Sequence, residues 1–139
     1  MPRESLKFLF DARASARAIG EFTADRSLED YRTDRKLRSA VEREFITIGE
    51  ALRQAVALDP ALRNSLSHVR EIVSFRNLLV HGYSGVDDRA VWETAARSLP
   101  GLLTELDRLL SEQGSDPVRG ALSLLGSIRQ APAACPDTT

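Results

Sequence analysis

Three side chains suited to acid–base or anion-binding chemistry lie close together in the segment SFRNLLVHGYSG, residues 74–85. Arg76 carries a planar cation whose N–H donors match the oxygens of a phosphate. His81 titrates near neutral pH and can therefore move protons in general acid–base catalysis. Tyr83 adds a phenol, although a tyrosine here is also typical of an ordinary surface or interface position. A cation, a proton carrier and a phenol at the end of a predicted helix together indicate a functional site.

Arg76 is placed by helical periodicity among apolar side chains. An α-helix turns by about 100° per residue, so Phe75 and Val73 flank Ile72 at about −60° and +100° in an apolar arc. Arg76 falls inside this arc, at about +40° from Ile72. A charged group in such an arc costs free energy unless a partner meets its charge. Three explanations are open: the guanidinium reaches water along its stem, it pairs with a buried acid, or the arc faces a cleft or a second subunit that presents an anion.

The polar residues Asn77 and His81 are four positions apart and share the opposite side of the same helix, at about 140° and 180° from Ile72. A histidine near a helix end is commonly a cap, because its protonated ring meets the negative end of the helix dipole. The catalytic and the capping interpretations of His81 both agree with the sequence.

Helical periodicity extends over most of the chain, and no series of strands with turn signals is present. The strongest pattern is an apolar seam over residues 34–58, which Pro60 ends. The segment SLED has the form of a capping box with Ser27 as N-cap and Asp30 in place of the usual Glu. The predicted helices cover residues 5–22, a short helix from 27, 34–58, 67–81, one capped by Asp87 or Asp88, and one with Pro100 in its first turn.

The sequence after about residue 113 is rich in Gly, Pro and small residues, which predicts a flexible tail. A chain of 139 residues is long enough for one domain with a core of its own. The predicted architecture is therefore an all-α bundle of four or five main helices over residues 1–112, followed by a tail over residues 113–139.

Composition and charge limit the classes of function. A net charge of −1 neither requires nor excludes a nucleic-acid partner, so any basic site must be local. Two histidines and the single Cys135, without a cluster at ligand spacing, argue against metal catalysis, and no P-loop is present. No segment approaches the ~20 apolar residues of a membrane span, and the N-terminus lacks a signal peptide. These features predict a soluble, cytoplasmic protein with no membrane partner.

Three segments resemble the HepT-like toxins of prokaryotic toxin–antitoxin pairs, which are HEPN domains. RNLLVHGY, residues 76–83, matches the family motif Arg-x4-His-x-Tyr. DRKLRSAVEREFITIGEA, residues 34–51, is similar to the family's long second helix, and GYSGVDDRAVWETAARSLPGL, residues 82–102, is similar to the segment after the motif. The resemblance covers roughly residues 28–110. It departs at LSHVREI, around His68, where many relatives carry Pro-Trp.

The resemblance implies a HEPN-type bundle that acts as a metal-independent endoribonuclease and uses no cofactor. The RNA 2′-hydroxyl would attack the adjacent phosphate, with Arg76 and His81 as the catalytic residues. Asn77 would orient the imidazole or hold a phosphate oxygen. The resemblance also implies a homodimer in which two motif helices meet across a cleft, and this would explain a cation in the apolar arc.

Tyr83 is implied to have a regulatory role. In the family, a nucleotidyltransferase antitoxin transfers AMP to this tyrosine, and the added charge and bulk would block RNA. Asp34 and Glu50 are further candidates for supporting residues, although solvent-facing positions explain both equally well. Two alternatives are a non-catalytic HEPN subunit that binds a nucleotide or presents substrate to a nucleotidyltransferase, and a dimeric helical adaptor with a remnant motif.

Overall fold

The computed structural model describes residues 2–82 and 85–113, and these residues form seven α-helices with no strand among them. The helices are α1 Arg3–Thr23, α2 Leu28–Thr33, α3 Arg35–Leu58, α4 Leu62–Ser65, α5 Val69–His81, α6 Asp88–Arg97 and α7 Leu99–Gln113. Five of them span ten residues or more, which confirms the predicted all-α bundle of four or five main helices. The predicted tail lies, from residue 114 onward, outside the described residues, as does Tyr83.

The helix starts follow the capping signals of the sequence. Ser27 forms the predicted capping box of α2, because its side chain accepts from the Asp30 amide while the Asp30 carboxylate accepts from the Ser27 amide. Asp34 is the N-cap of α3 and accepts from the Leu37 amide at 3.1 Å. Asp87 caps α6 in the same manner. Short-range hydrogen bonds thus set these three boundaries.

The core is built around α3, which packs along both α1 and α5. Small side chains of α1, among them Ala12 and Ala16, are fully buried and allow α1 to approach α3 closely. Phe45 of α3 is also fully buried. Its ring packs edge-on against that of Phe75, with 5.1 Å between the ring centroids. None of the described helices is both long and apolar enough to cross a membrane.

Among residues 2–82 and 85–113, the main packing of the motif helix α5 is on one side. Val69 and Ile72 are its buried residues, and they confirm the centre of the predicted apolar arc. Phe75 and Leu79 are half-buried, and Leu78 is 46% exposed. The extensive packing of α5 within the described residues is against α3. The helix that carries the motif therefore has one face fixed on the core and another face open.

Candidate functional site

Arg76 reaches from α5 across to α3. Its Nη2 lies 3.3 Å from Oε1 of Glu50, and its Nη1 donates to Oδ1 of Asn77 at 2.9 Å. The side chain is 23% exposed, whereas its Nε is buried and no described group accepts a hydrogen bond from it. Of the three explanations, the ion pair is present but lies at a partly exposed surface. Arg76 and Glu50 also both line a cleft of about 340 Å³.

Gly49 fixes how closely Arg76 approaches α3. A Cβ placed on Gly49 would lie 2.3 Å from Cβ of Arg76 and 2.7 Å from its Cγ, which is far inside van der Waals contact. Only glycine therefore lets the backbone of α5 lie against α3 at this point. A glycine in the middle of a long helix costs helix stability, so a glycine at such a position is a sequence signal of a close approach between helices. The sequence could not show that Arg76 is what approaches it.

Neighbouring donors keep the carboxylate of Glu50 ionised beside Arg76. Arg53 donates from Nε and Nη2 to its carboxylate at 3.2 and 2.7 Å, and Gln54 donates from Nε2 at 3.1 Å. These bonds, Arg53 above all, together with the charge of Arg76, hold the pKa of Glu50 below its usual value. The carboxylate is therefore charged at neutral pH, and Glu50 contacts Arg76 as well as solvent.

Glu50→Gln is expected to lower the unfolding free energy at pH 7 by at most about 1 kcal/mol, since water screens this partly exposed cluster. Because the native pKa of Glu50 is lowered, its stabilisation is present above the pKa of the unfolded chain and is lost as pH falls through the native pKa. Urea unfolding at pH 7 and pH 3 measures this, with Glu93→Gln on the exposed surface of α6 as control. An equal difference at both pH values would contradict the assignment.

His81 is the last residue of α5, and its side chain is exposed. Among the described residues the imidazole forms no hydrogen bond or ion pair. The helix end is closed instead by the Gly82 amide, which donates to the Leu78 carbonyl at 2.7 Å. The imidazole therefore takes no part in closing the helix by a hydrogen bond.

Of two further predicted site residues, Asn77 contacts Arg76 and Asp34 does not. Asn77 is exposed and bonds to Arg76 rather than to His81. Asp34 caps α3 and lies 3.7 Å from Nη1 of Arg26, sixteen residues or about 24 Å along α3 from Glu50. Asp34 is thus a local structural residue, away from Arg76.

Arg76 and His81 diverge on the surface of α5. They are five positions apart in the chain, which corresponds to about 7.5 Å along the axis and about 140° around it. In one copy of the helix, Arg76 contacts α3 and His81 is exposed. Within residues 2–82 and 85–113, no three His, Cys, Asp or Glu side chains are grouped as a metal site would require.

Comparisons of the chain with known proteins give matches to one family. The family model described as "Ribonuclease HepT-like" matches residues 12–109, which include the Arg76–Glu50 contact and His81. The chain is 30% identical over 115 residues to "Putative RNase MJ0125" of Methanocaldococcus jannaschii, covering 81% of this chain and 97% of that protein. It is 32% identical over 109 residues to "Probable ribonuclease HepT" of Thermococcus cleftensis, covering 78% and 98%. No solved structure gives a significant match.

Proposed function

Since the chain belongs to the HepT-like ribonuclease family, we propose that it is a metal-independent endoribonuclease and the toxin of a toxin–antitoxin pair. In this reaction the RNA 2′-oxygen bonds to the adjacent phosphorus and the bond to the 5′-oxygen breaks. The proton leaves the 2′-hydroxyl and a proton is delivered to the 5′-oxygen. The products are a 2′,3′-cyclic phosphate and a free 5′-hydroxyl, and neither water nor a metal hydroxide enters this step.

The main support for this proposal is the set of contacts that the Arg76 guanidinium makes. Its Nη atoms are held by Glu50 and Asn77, while its buried Nε donor has no described acceptor. Each Nη carries two N–H donors and uses one of them in these contacts, so the partly exposed guanidinium keeps N–H donors for a phosphate oxygen. It would also stabilise the charge that develops on the phosphorane. His81 would transfer the protons.

A homodimer would complete the site. Arg76 and His81 diverge on one helix, and the side of α5 that carries the exposed Leu78 is open. A second α5 packed against this open side would bring the His81 of one copy toward the phosphate held by the other. Two such sites would then lie in one cleft between the copies.

The chemistry of the products tests the proposed reaction. The purified protein is incubated in EDTA with a single-stranded RNA and with the same RNA carrying one 2′-deoxynucleotide at the cleavage position. We expect cleavage of the first only, with mass spectrometry showing a cyclic phosphate and a 5′-hydroxyl. Loss of cleavage in EDTA, or products with a 5′-phosphate from both substrates, would contradict the mechanism.

Tyr83 is proposed as the regulatory residue. It lies two positions after His81 in the chain, outside the described residues. A nucleotidyltransferase partner would transfer AMP from ATP to the phenol oxygen and release pyrophosphate. The added phosphate would compete with RNA for Arg76.

Tyr83→Phe is expected to keep RNA cleavage within about threefold of wild type, because the proton transfer is assigned to His81 and not to a phenol. The variant should arrest cell growth even when a nucleotidyltransferase antitoxin is expressed with it, whereas the wild-type protein should be neutralised and gain the mass of AMP. A folded Tyr83→Phe protein that no longer cleaves RNA would refute the regulatory assignment.

A further inference from the structure

The cleft of about 340 Å³ beside Arg76 is formed by three helices. Phe8 and Asp11 of α1 and Arg43, Ile46 and Glu50 of α3 line it together with Arg76 of α5. Its volume is at the lower end of the range of about 300–1,000 Å³ that is typical of small-molecule sites. It therefore has room for a group the size of one nucleotide.

Two large apolar side chains form part of the cleft wall. Phe8 and Ile46 line it, and both are only half-buried. Phe8 also lies outside the fully buried face of α1. A partly exposed phenyl ring offers a surface on which a nucleobase can stack, and proteins commonly hold unpaired RNA bases in this way.

The charges of the cleft suit a base with a phosphate on either side. Arg43 precedes Glu50, the partner of Arg76, by seven residues, or about 10.5 Å along α3. Arg43 is exposed and forms no ion pair with any described residue. The carboxylate of Asp11, which forms no ion pair with any described residue, would repel a phosphate from its side of the cleft, whereas the charge of Glu50 is met by Arg53 and Arg76. Asp11 tolerates a neutral base, whose amino group can donate to a carboxylate.

We infer that this cleft binds one unpaired RNA base next to the phosphate held by Arg76, with the following phosphate on Arg43. The inference rests on the proposed ribonuclease function and adds its substrate class, since a base can enter the cleft only when it is not paired. Single-stranded RNA is therefore the substrate, and a duplex is excluded from the cleft.

Binding and cleavage are measured separately with wild type, Phe8→Leu and Arg43→Gln. Phe8→Leu keeps apolar volume and removes the aromatic face. The controls are Phe10→Leu, also half-buried on α1 but away from the cleft, and Arg63→Gln, exposed on α4. The probe is a labelled single-stranded RNA of eight nucleotides in which 2′-fluoro groups prevent cleavage. We expect the two cleft variants to raise its Kd about tenfold and the controls less than about twofold.

The possible results separate this inference from the proposed activity. Weaker binding by both cleft variants, without cleavage of unmodified RNA by wild type, would support the cleft and refute the nuclease. Cleavage by wild type with binding unchanged in both variants would support the nuclease and refute the cleft. Loss of binding that accompanies dissociation of a dimer in sedimentation would mean that a second copy covers the cleft, and this would overturn the inference. Wild-type protein that does not bind the probe would overturn it too.

Discussion

His81→Ala is expected to lower the rate of RNA cleavage by about 10²- to 10⁴-fold, the usual contribution of a general acid or base. The free energy of unfolding should change by less than about 1 kcal/mol, because the imidazole is exposed and has no hydrogen bond or ion pair among the described residues. Single-turnover cleavage of a labelled single-stranded RNA, beside urea unfolding of the same preparation, measures both quantities.

The second histidine of the chain provides a matched control for this variant. His68 is the N-cap residue of α5, and its Nδ1 lies 3.7 Å from Oε1 of Glu71. His68→Ala should therefore leave the rate of cleavage within about twofold of wild type, since His68 is at the opposite end of α5 from His81, about 20 Å away along the helix. Equal activity in His81→Ala and wild type would refute the catalytic role of His81. That result would favour a non-catalytic subunit that presents a substrate to a nucleotidyltransferase.

Gly49→Ala is expected to destabilise the protein by about 1–3 kcal/mol, although alanine is the better helix former. The new Cβ would lie 2.3 Å from Cβ of Arg76, more than 1 Å inside ordinary van der Waals contact of 3.4–4 Å. Because the nearest atoms belong to the base of the Arg76 side chain and to the backbone of α5, the helix itself must move. A displacement of Arg76 by about 1 Å is expected to lower RNA cleavage by about a hundredfold.

Gly20→Ala is the control for the glycine effect. Gly20 also lies within a long helix, α1, but a Cβ there would meet nothing within 4 Å. This substitution should raise the unfolding free energy by about 0.5–1 kcal/mol and leave cleavage unchanged. Thermal unfolding and RNA cleavage of Gly49→Ala and Gly20→Ala test both predictions. Gly49→Ala with wild-type stability and activity would show that α5 does not depend on close contact at Gly49.

Local signals in the sequence predicted most of the helices. The apolar seam of α3 and the cap at Ser27 depend on contacts within a few residues, and the structure confirms them. The cap predicted at Asp87 or Asp88 is Asp87. The same local logic explains Asp34, whose position before a helical run is that of an N-cap. Of the two explanations that the sequence leaves open for Asp34, a supporting site residue or a solvent-facing position, the structure gives it a capping role about 24 Å along α3 from Glu50.

The sequence predicts which side chains of α5 form the apolar arc, but not how deeply each of them is buried. Val69 and Ile72 are buried because α3 packs on them, whereas Phe75 and Leu79 are only half-buried. A helical wheel gives the direction of each side chain relative to the helix axis. It cannot give the extent of the neighbouring helix, and this extent determines how much of the arc is covered.

By itself, the sequence determined the helical fold, the order of the helices and the placement of Arg76 and His81 about 140° apart on one helix, because helical periodicity and capping act over a few residues. Only the tertiary structure decided that Gly49 lies under Arg76, that Glu50 pairs with it, and that Phe8 and Arg43 share a cleft with both. These contacts join residues of α1, α3 and α5 that are distant in the chain. Their distances depend on how three helices pack, and helix packing is a property of the whole core.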